Sequence, residues 1–170
     1  MSNLEIEDIL RAEKFFPAPL IWSRSKENVV RTRTALEIDG EIKGHFFLEI
    51  NATTHTRLQI ADFVLVYQGI PISRMRFNPN SPHTNKLRKG MPRILKGLHL
   101  RAGEHRYYSW DNNKHLGFPP PKGLHMDVAE VVTEKLNDFA AAAGFFCGKT
   151  NIAGQIPAPP HEPLLEEFYK

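Results

Sequence analysis

Residues 43–77 read KGHFFLEINATTHTRLQIADFVLVYQGIPISRMRF. Three runs rich in β-branched and aromatic residues divide this stretch. Lys43 to Asn51 carries Phe46, Phe47, Leu48 and Ile50. Leu58 to Tyr67 carries Ile60, Phe63, Val64, Leu65 and Val66. In Ile70 to Phe77, Ile72, Arg74 and Arg76 alternate with Ser73, Met75 and Phe77. Such residues suit a pleated, half-buried surface. The turn Gln68-Gly69 separates the last two runs, and Asp39-Gly40 is a hairpin signal just upstream. Together they predict an antiparallel meander with one polar face.

Outward from this stretch the pattern becomes helical. Ser2 and Glu5 have capping-box spacing, and Ile6, Ile9 and Leu10 fall on one face of a helix over 3–14. Pro17 and Pro19 stop it. Residues 20–37 are expected to be extended. Residues 78–96 hold Pro79, Pro82, Gly90 and Pro92 and are expected to form a long irregular loop. Two further strands are expected at 97–101 and 104–110. Asp127 to Ala143 is predicted as the main helix. Asp127 and Glu130 favour its first turn, Val128, Val131, Val132, Leu136, Phe139 and Ala143 line one face, and Gly144 closes it. The expected fold is α+β: a twisted antiparallel sheet of about five to six strands packed against the C-terminal helix (127–143), with a short N-terminal helix. Residues 1–154 form a single domain, and 155–170 a proline-rich arm ending in a short helix from Pro163 to Tyr169.

Charge points to function. Pro71 to His115 holds ten Lys and Arg against Glu104 and Asp111, while the whole chain is only +3. A block of this kind is built to meet an anion, and a polyanion above all. A solvated basic face is the bland alternative. Nucleic-acid contacts are expected from Arg74, Arg76, Arg88, Lys89, Arg93, Arg101, Arg106 and Tyr107. Arg31 and Arg33 alternate with threonines on an earlier strand; if that strand neighbours the one bearing Arg74 and Arg76, four guanidiniums face one way. Trp110 is read as packing. Cys147 follows Phe145 and Phe146 and is read as a buried small hydrophobe.

The same stretch holds His83, His99 and His105 as candidate catalytic residues. His83 sits between Pro82 and Thr84-Asn85, as a loop general acid or base. The alternative is a turn in which Asn85 bonds its own backbone. His99 and His105 flank Ala102-Gly103. A two-residue turn puts their rings on opposite faces; a three-residue turn puts His99, Arg101, His105 and Tyr107 on one. Metal-free cleavage of RNA would use two imidazoles as acid and base, with arginines stabilising the phosphorane. No metal site and no cofactor is expected. No phosphate-binding loop, dinucleotide fingerprint, nucleophile elbow or zinc-protease motif is present.

Phe46-Phe-Leu-Glu-Ile50, Ser73-Arg-Met-Arg-Phe77 leading to Pro82-His-Thr-Asn85, and Leu98-His-Leu100 followed by Tyr108-Ser-Trp110 resemble a group of small uncharacterised bacterial and prophage proteins. That group pairs a Pro-His-x-Asn loop with a His-x-His strand and a downstream Trp. Here Gly97 replaces the first His of the pair, and Asn85-Lys86-Leu87 stands where an Asn-Pro-Asp-Gly run is expected. The resemblance covers residues 43–112 and implies a mobile-element setting, where toxins, antitoxins and anti-defence proteins are common. The expected function is a nucleic-acid-targeting accessory protein, with a toxin-type RNase as its enzymatic form and RNA ahead of DNA as partner. The rival is a non-enzymatic module that binds an acidic protein surface. One cysteine and no spanning apolar run lead to an expectation of a cytoplasmic protein without a membrane partner.

Overall fold

A computed structural model describes residues 2–54, 59–114 and 126–160. The elements are α1 (Asn3–Arg11), β1 (Lys14–Phe15), β2 (Ser23–Lys26), β3 (Val29–Ile38), β4 (Glu41–Thr53), β5 (Ala61–Tyr67), β6 (Ile70–Phe77), β7 (His83–Thr84), a 3-10 turn at Arg93–Leu95, β8 (His99–Leu100), β9 (Arg106–Tyr108), α2 (Trp110–Asn113), β10 (Glu130–Val131), α3 (Phe139–Thr150) and β11 (Ile152–Ala153). The protein is α+β, as the sequence predicts. Asp39-Gly40 and Gln68-Gly69 adopt left-handed backbone, with φ of 53° and 76°, and of 48° and 79°. Both residues of each pair are thus shaped for the two-residue turns whose twist matches a hairpin. The Ser2–Glu5 capping box is also formed.

The sheet has nine strands among the described residues, ordered β10-β9-β6-β5-β4-β3-β1-β11, with β2 also on β3. This corrects the expected five or six strands. It also corrects the antiparallel expectation, because β1 and β11 pair in parallel. One face is the core: Ile50, Phe63, Leu65, Met75 and Tyr107 are buried there. Phe63 stacks on Phe139 and Phe146 of α3, with centroids 5.3 and 5.5 Å apart, and Ile6 of α1 joins the same cluster.

The helix expected over 127–143 is corrected. Residues 128–132 run alongside β9 and contribute β10. Helix α3 begins at Phe139, and its N-cap is Asp138, which accepts the Ala141 N–H at 2.8 Å. Gly144 lies inside α3, whose end is Asn151 in left-handed conformation. Two buried asparagines explain the difference. Asn113 accepts the Val128 N–H and donates to the Val128 carbonyl, both at 2.9 Å. Asn85 accepts the Ala129 N–H at 2.9 Å and donates to the Ala129 carbonyl at 2.7 Å. Each carboxamide does for one residue what a neighbouring strand would do. A helix needs those same peptide groups, so the segment cannot coil while they are taken. The Asn85 side chain thus bonds remote backbone, not its own turn.

The expected hairpin at 99–107 is absent. β8 pairs with β7 in a separate two-stranded ribbon, and β9 pairs with β6 and β10. The proline-rich segment also starts on the domain. Ile156 is buried in the core, and Trp22 Nε1 donates to the Pro157 carbonyl at 3.1 Å. The helix expected from Pro163 to Tyr169 lies outside the described residues.

At the other end of the sheet, Lys14 is fully buried. Its Nζ donates to the carbonyls of Leu10, Ala12 and Thr150 at 3.1, 2.6 and 2.8 Å. These carbonyls close α1 and α3, so two negative helix ends share one ammonium. Burial lowers the Lys14 pKa to about 8.

Two outcomes test this account. Asn85→Ala or Asn113→Ala orphans a buried N–H and C=O, and each should lower unfolding free energy in urea by about 2–4 kcal/mol. Lys14→Met orphans buried carbonyls and should cost a similar amount, about 2–4 kcal/mol, read the same way. Wild-type midpoints for these variants would mean that water replaces the lost donors.

Candidate nucleic-acid interface

Period-two alternation gives the sheet a second, polar face opposite α3. Two rows of directly opposed residues cross it. One runs Arg31, Asn51, Asp62, Arg76, Arg106; the next runs Arg33, Glu49, Val64, Arg74, Tyr108. Arg31, Arg33, Arg74 and Arg76 therefore face one way. The strands bearing them are not neighbours, because β4 and β5 lie between. Three strand spacings separate the two pairs of arginines by roughly 14 Å.

Most of these arginines have partners. Arg31 bonds Glu49, and Arg33 lies 4.0 Å from the same carboxylate with its guanidinium 4.3 Å from the Phe47 ring centroid. Arg74 holds Asp62 in a two-point pair at 2.8 and 2.5 Å and lies 5.7 Å from the Tyr108 centroid. Burial pulls the Arg74 pKa down, and Asp62 outweighs it, so the net shift is upward. Arg76 differs. It is half-buried, and its side chain makes no ion pair or hydrogen bond among the described residues. Its direct cross-strand neighbours are Asp62, which Arg74 holds, and another arginine, Arg106. Like charges directly opposed destabilise a sheet unless something compensates.

Arg106 is 1% exposed and points its guanidinium at the Ser81 and Arg101 carbonyls. It anchors the 79–101 loop and adds charge beneath Arg76, but it offers no open surface. Tyr107 lies on the core face, buried, with its hydroxyl accepting from Ser73 at 2.9 Å and its ring edge-on to Phe145. Burial raises its pKa. No face of Tyr107 is open to a base. Tyr108 lies on the arginine side, but it too is buried, at 3% exposure, against Leu100, Met126 and Ala129. Arg88, Lys89, Arg93 and Arg101 are exposed outside the two rows, and Arg88 pairs with Asp127 at 3.4 Å.

The three histidines do not converge. In the β7–β8 ribbon His83 opposes Leu100 and Thr84 opposes His99. Opposed residues share a face, so the His83 and His99 rings point to opposite sides. His83 packs edge-on against Tyr108 at 5.7 Å, which places it at the rim of the arginine face near Arg74. Its Nε2 faces two acceptors, Asn85 Oδ1 at 3.1 Å and the Asp127 carbonyl at 3.0 Å. Nε2 therefore carries a proton, and Nδ1 is the nitrogen left to act as base. His99 is exposed, with Nδ1 2.8 Å from the Thr84 hydroxyl.

His105 is a structural residue. Its ring stacks on Phe77 at 4.8 Å, its Nδ1 accepts the Asn78 N–H at 3.1 Å, and it bonds the Leu136 backbone. Burial lowers its pKa, against a smaller upward pull from Leu136.

Sequence reading missed Glu49, Asn51 and Asp62 as members of the face. Their signal is alternation along β4 and β5, but only register shows that they align with the arginines. Among the described residues no group of three or more His, Cys, Asp and Glu is placed to hold a metal ion. A cleft of about 450 Å³ beside α1, with Asp8, Ile38, Lys43 and Tyr67 in its wall, contains none of the expected site residues. Cys147 is buried and its thiol is pushed up to about 11.

No protein-family model, curated protein or solved structure matches this chain.

His105 gives a pH prediction. Its folded pKa lies below the ordinary 6.5. In the window beneath 6.5 the unfolded chain binds more protons, so stability falls as pH drops through that window. His105→Phe keeps the stack and removes the titration. Thermal melts from neutral to mildly acidic pH should show a shallower loss for the variant than for wild type. Equal slopes would show that His105 contributes nothing to acid sensitivity.

Proposed function

We propose that this protein binds nucleic acid, RNA ahead of DNA, across the arginine face, with His83 at its rim. The observation that carries this reading is the opposed Arg76–Arg106 pair. The two residues are directly opposed on adjacent strands; Arg106 turns its guanidinium to the Ser81 and Arg101 carbonyls, and Asp62, on the other side of Arg76, is held by Arg74, so neither arginine makes an ion pair among the described residues. A phosphate bound on Arg76, above the buried Arg106, supplies the missing charge and turns a repulsive pair into an attractive site. The cations extend over two rows and several strands, which suits a chain of phosphates more than one small anion. Guanidiniums held near Phe47 and Tyr108 are flat and preorganised, the kind of platform on which an unpaired base stacks.

Binding is favoured over cleavage. An acid–base pair must flank one phosphate, and His83 and His99 leave opposite faces of their ribbon. His83 alone lies near the arginines. The bacterial and mobile-element setting implied by the sequence resemblance fits a nucleic-acid-binding accessory protein. An acidic protein surface is the partner left if no nucleic acid binds.

The test is a salt titration with labelled single-stranded RNA and DNA. Affinity should fall with log–log slope of roughly −0.7 per phosphate neutralised. Arg76→Glu should weaken RNA binding by about tenfold or more, the worth of one charged contact. The same change places a carboxylate between Arg106, which attracts it, and Asp62, which repels it, so the melting temperature should change little. Salt-independent binding, or RNA affinity unchanged in Arg76→Glu, would remove the proposal.

A further inference from the structure

We propose that the loop joining β7 to β8 docks on the surface of an anionic lipid bilayer. Residues 86–97 read KLRKGMPRILKG, with five cations and no acidic side chain. Lys86, Arg88, Lys89, Arg93 and Lys96 are all exposed, and none belongs to the arginine rows of the sheet. Among the described residues the one ion pair they make is Arg88 with Asp127. Between them stand two bare aliphatic side chains, Leu87 at 74% exposure and Ile94 at 86%.

The loop is held in a fixed shape. Met91 and Leu95 turn inward and pack on Val128. Asn85 Nδ2 binds the Leu95 carbonyl at 2.9 Å, and the Arg88 N–H points to the Met91 sulfur at 3.3 Å. Leu87 lies against Gly97, 3.9 Å from where a Cβ would stand. It therefore sits beside the turn at Arg93–Leu95 that carries Ile94. Two aliphatic tips on a rigid mount, ringed by cations, match the two components of an anionic membrane interface: hydrocarbon just beneath a layer of negative headgroups.

The composition favours lipid over nucleic acid. Residues 86–97 contain no aromatic ring to stack a base or to hold a guanidinium flat for one. Aliphatic chains gain most from leaving water for hydrocarbon. The expectation of no membrane partner rested on the lack of a spanning segment. No helix among the described residues is long and apolar enough to cross a bilayer, but a loop lying in the interface needs no span.

The test is co-sedimentation of the full chain with phosphatidylcholine vesicles, with and without phosphatidylserine. Wild type should pellet with the anionic vesicles and stay in solution with the neutral ones. The double variant Leu87→Gln with Ile94→Gln should lose at least about tenfold in partitioning, with its melting temperature unchanged because both positions are exposed. Lys89→Gln and Arg93→Gln should each lose about fivefold. Arg76→Glu should bind vesicles like wild type, so failure of the nucleic-acid reading leaves this result standing. Three outcomes overturn the proposal: no wild-type binding to anionic vesicles, equal binding to neutral ones, or a double variant that binds as well as wild type. Loss of RNA affinity in the double variant, with no lipid binding by wild type, would make the loop a nucleic-acid surface instead.

Discussion

Two carboxamides hold the outer half of this molecule together. Asn85 and Asn113 are each nearly inaccessible to water, and between them they satisfy both peptide groups of Val128 and Ala129. Once that pair of residues is straight, much else follows. Val128 meets Met91 and Leu95, while Ala129 meets Leu100, Tyr108 and Met126. Those two small clusters seat the long loop, the β7–β8 ribbon and the end of β9. The Asp127 carbonyl then lies where His83 Nε2 can donate to it. In a low-dielectric interior such a network is worth keeping only if every member is satisfied. Here the four amide hydrogens of the two asparagines all find carbonyls, because Leu95 and Ser109 take the remaining two.

The large sheet obeys a different constraint, the parity of side chains along strands. From β3 to β9 every directly opposed residue shares a face with its partners, so one core-facing row fixes the row beside it. Phe63, Ile50 and Met75 commit their neighbours Asp62, Asn51 and Arg76 to the far side. The arginine face is thus a by-product of core burial in position. In composition it is unbalanced, since five guanidiniums share it with Glu49 and Asp62.

What was legible in the sequence is what is local. The meander, both two-residue turns and the capping box depend on residues within a few positions of each other, and they stand where the pattern put them. The segment from Asp127 fails because its partners are remote. Asn85 lies 44 residues from Ala129, and Asn113 lies 15 from Val128. Nothing in Val-Ala-Glu-Val-Val reveals that a carboxamide elsewhere will claim its peptide groups, and its apolar spacing suits a helix equally well. The histidine pairing fails similarly. A turn at Ala102-Gly103 does form, with the Gly103 N–H bonding the Pro79 carbonyl at 2.7 Å. It closes a loop rather than a hairpin, because β8 had already paired with β7. Arg106 and Tyr107 show the limit of reading a basic, aromatic run as surface: adjacent residues in a strand go to opposite faces, and here both are buried.

The parallel pairing of β1 with β11 sets an order on folding. Lys14 bonds the Thr150 carbonyl across 136 residues, and its strand has Ile152 and Ala153 as one of its two neighbours. During synthesis α1 emerges long before β11, a nine-residue helix too short to persist in water by itself. Its last carbonyls and the Lys14 ammonium stay hydrated until the ribosome has released the chain past Ala153. The central hairpins, with near neighbours only, can close long before that. The outer edge of β1 therefore stays unpaired until β11 arrives, while β3 can pair with β2 and β4 from the start.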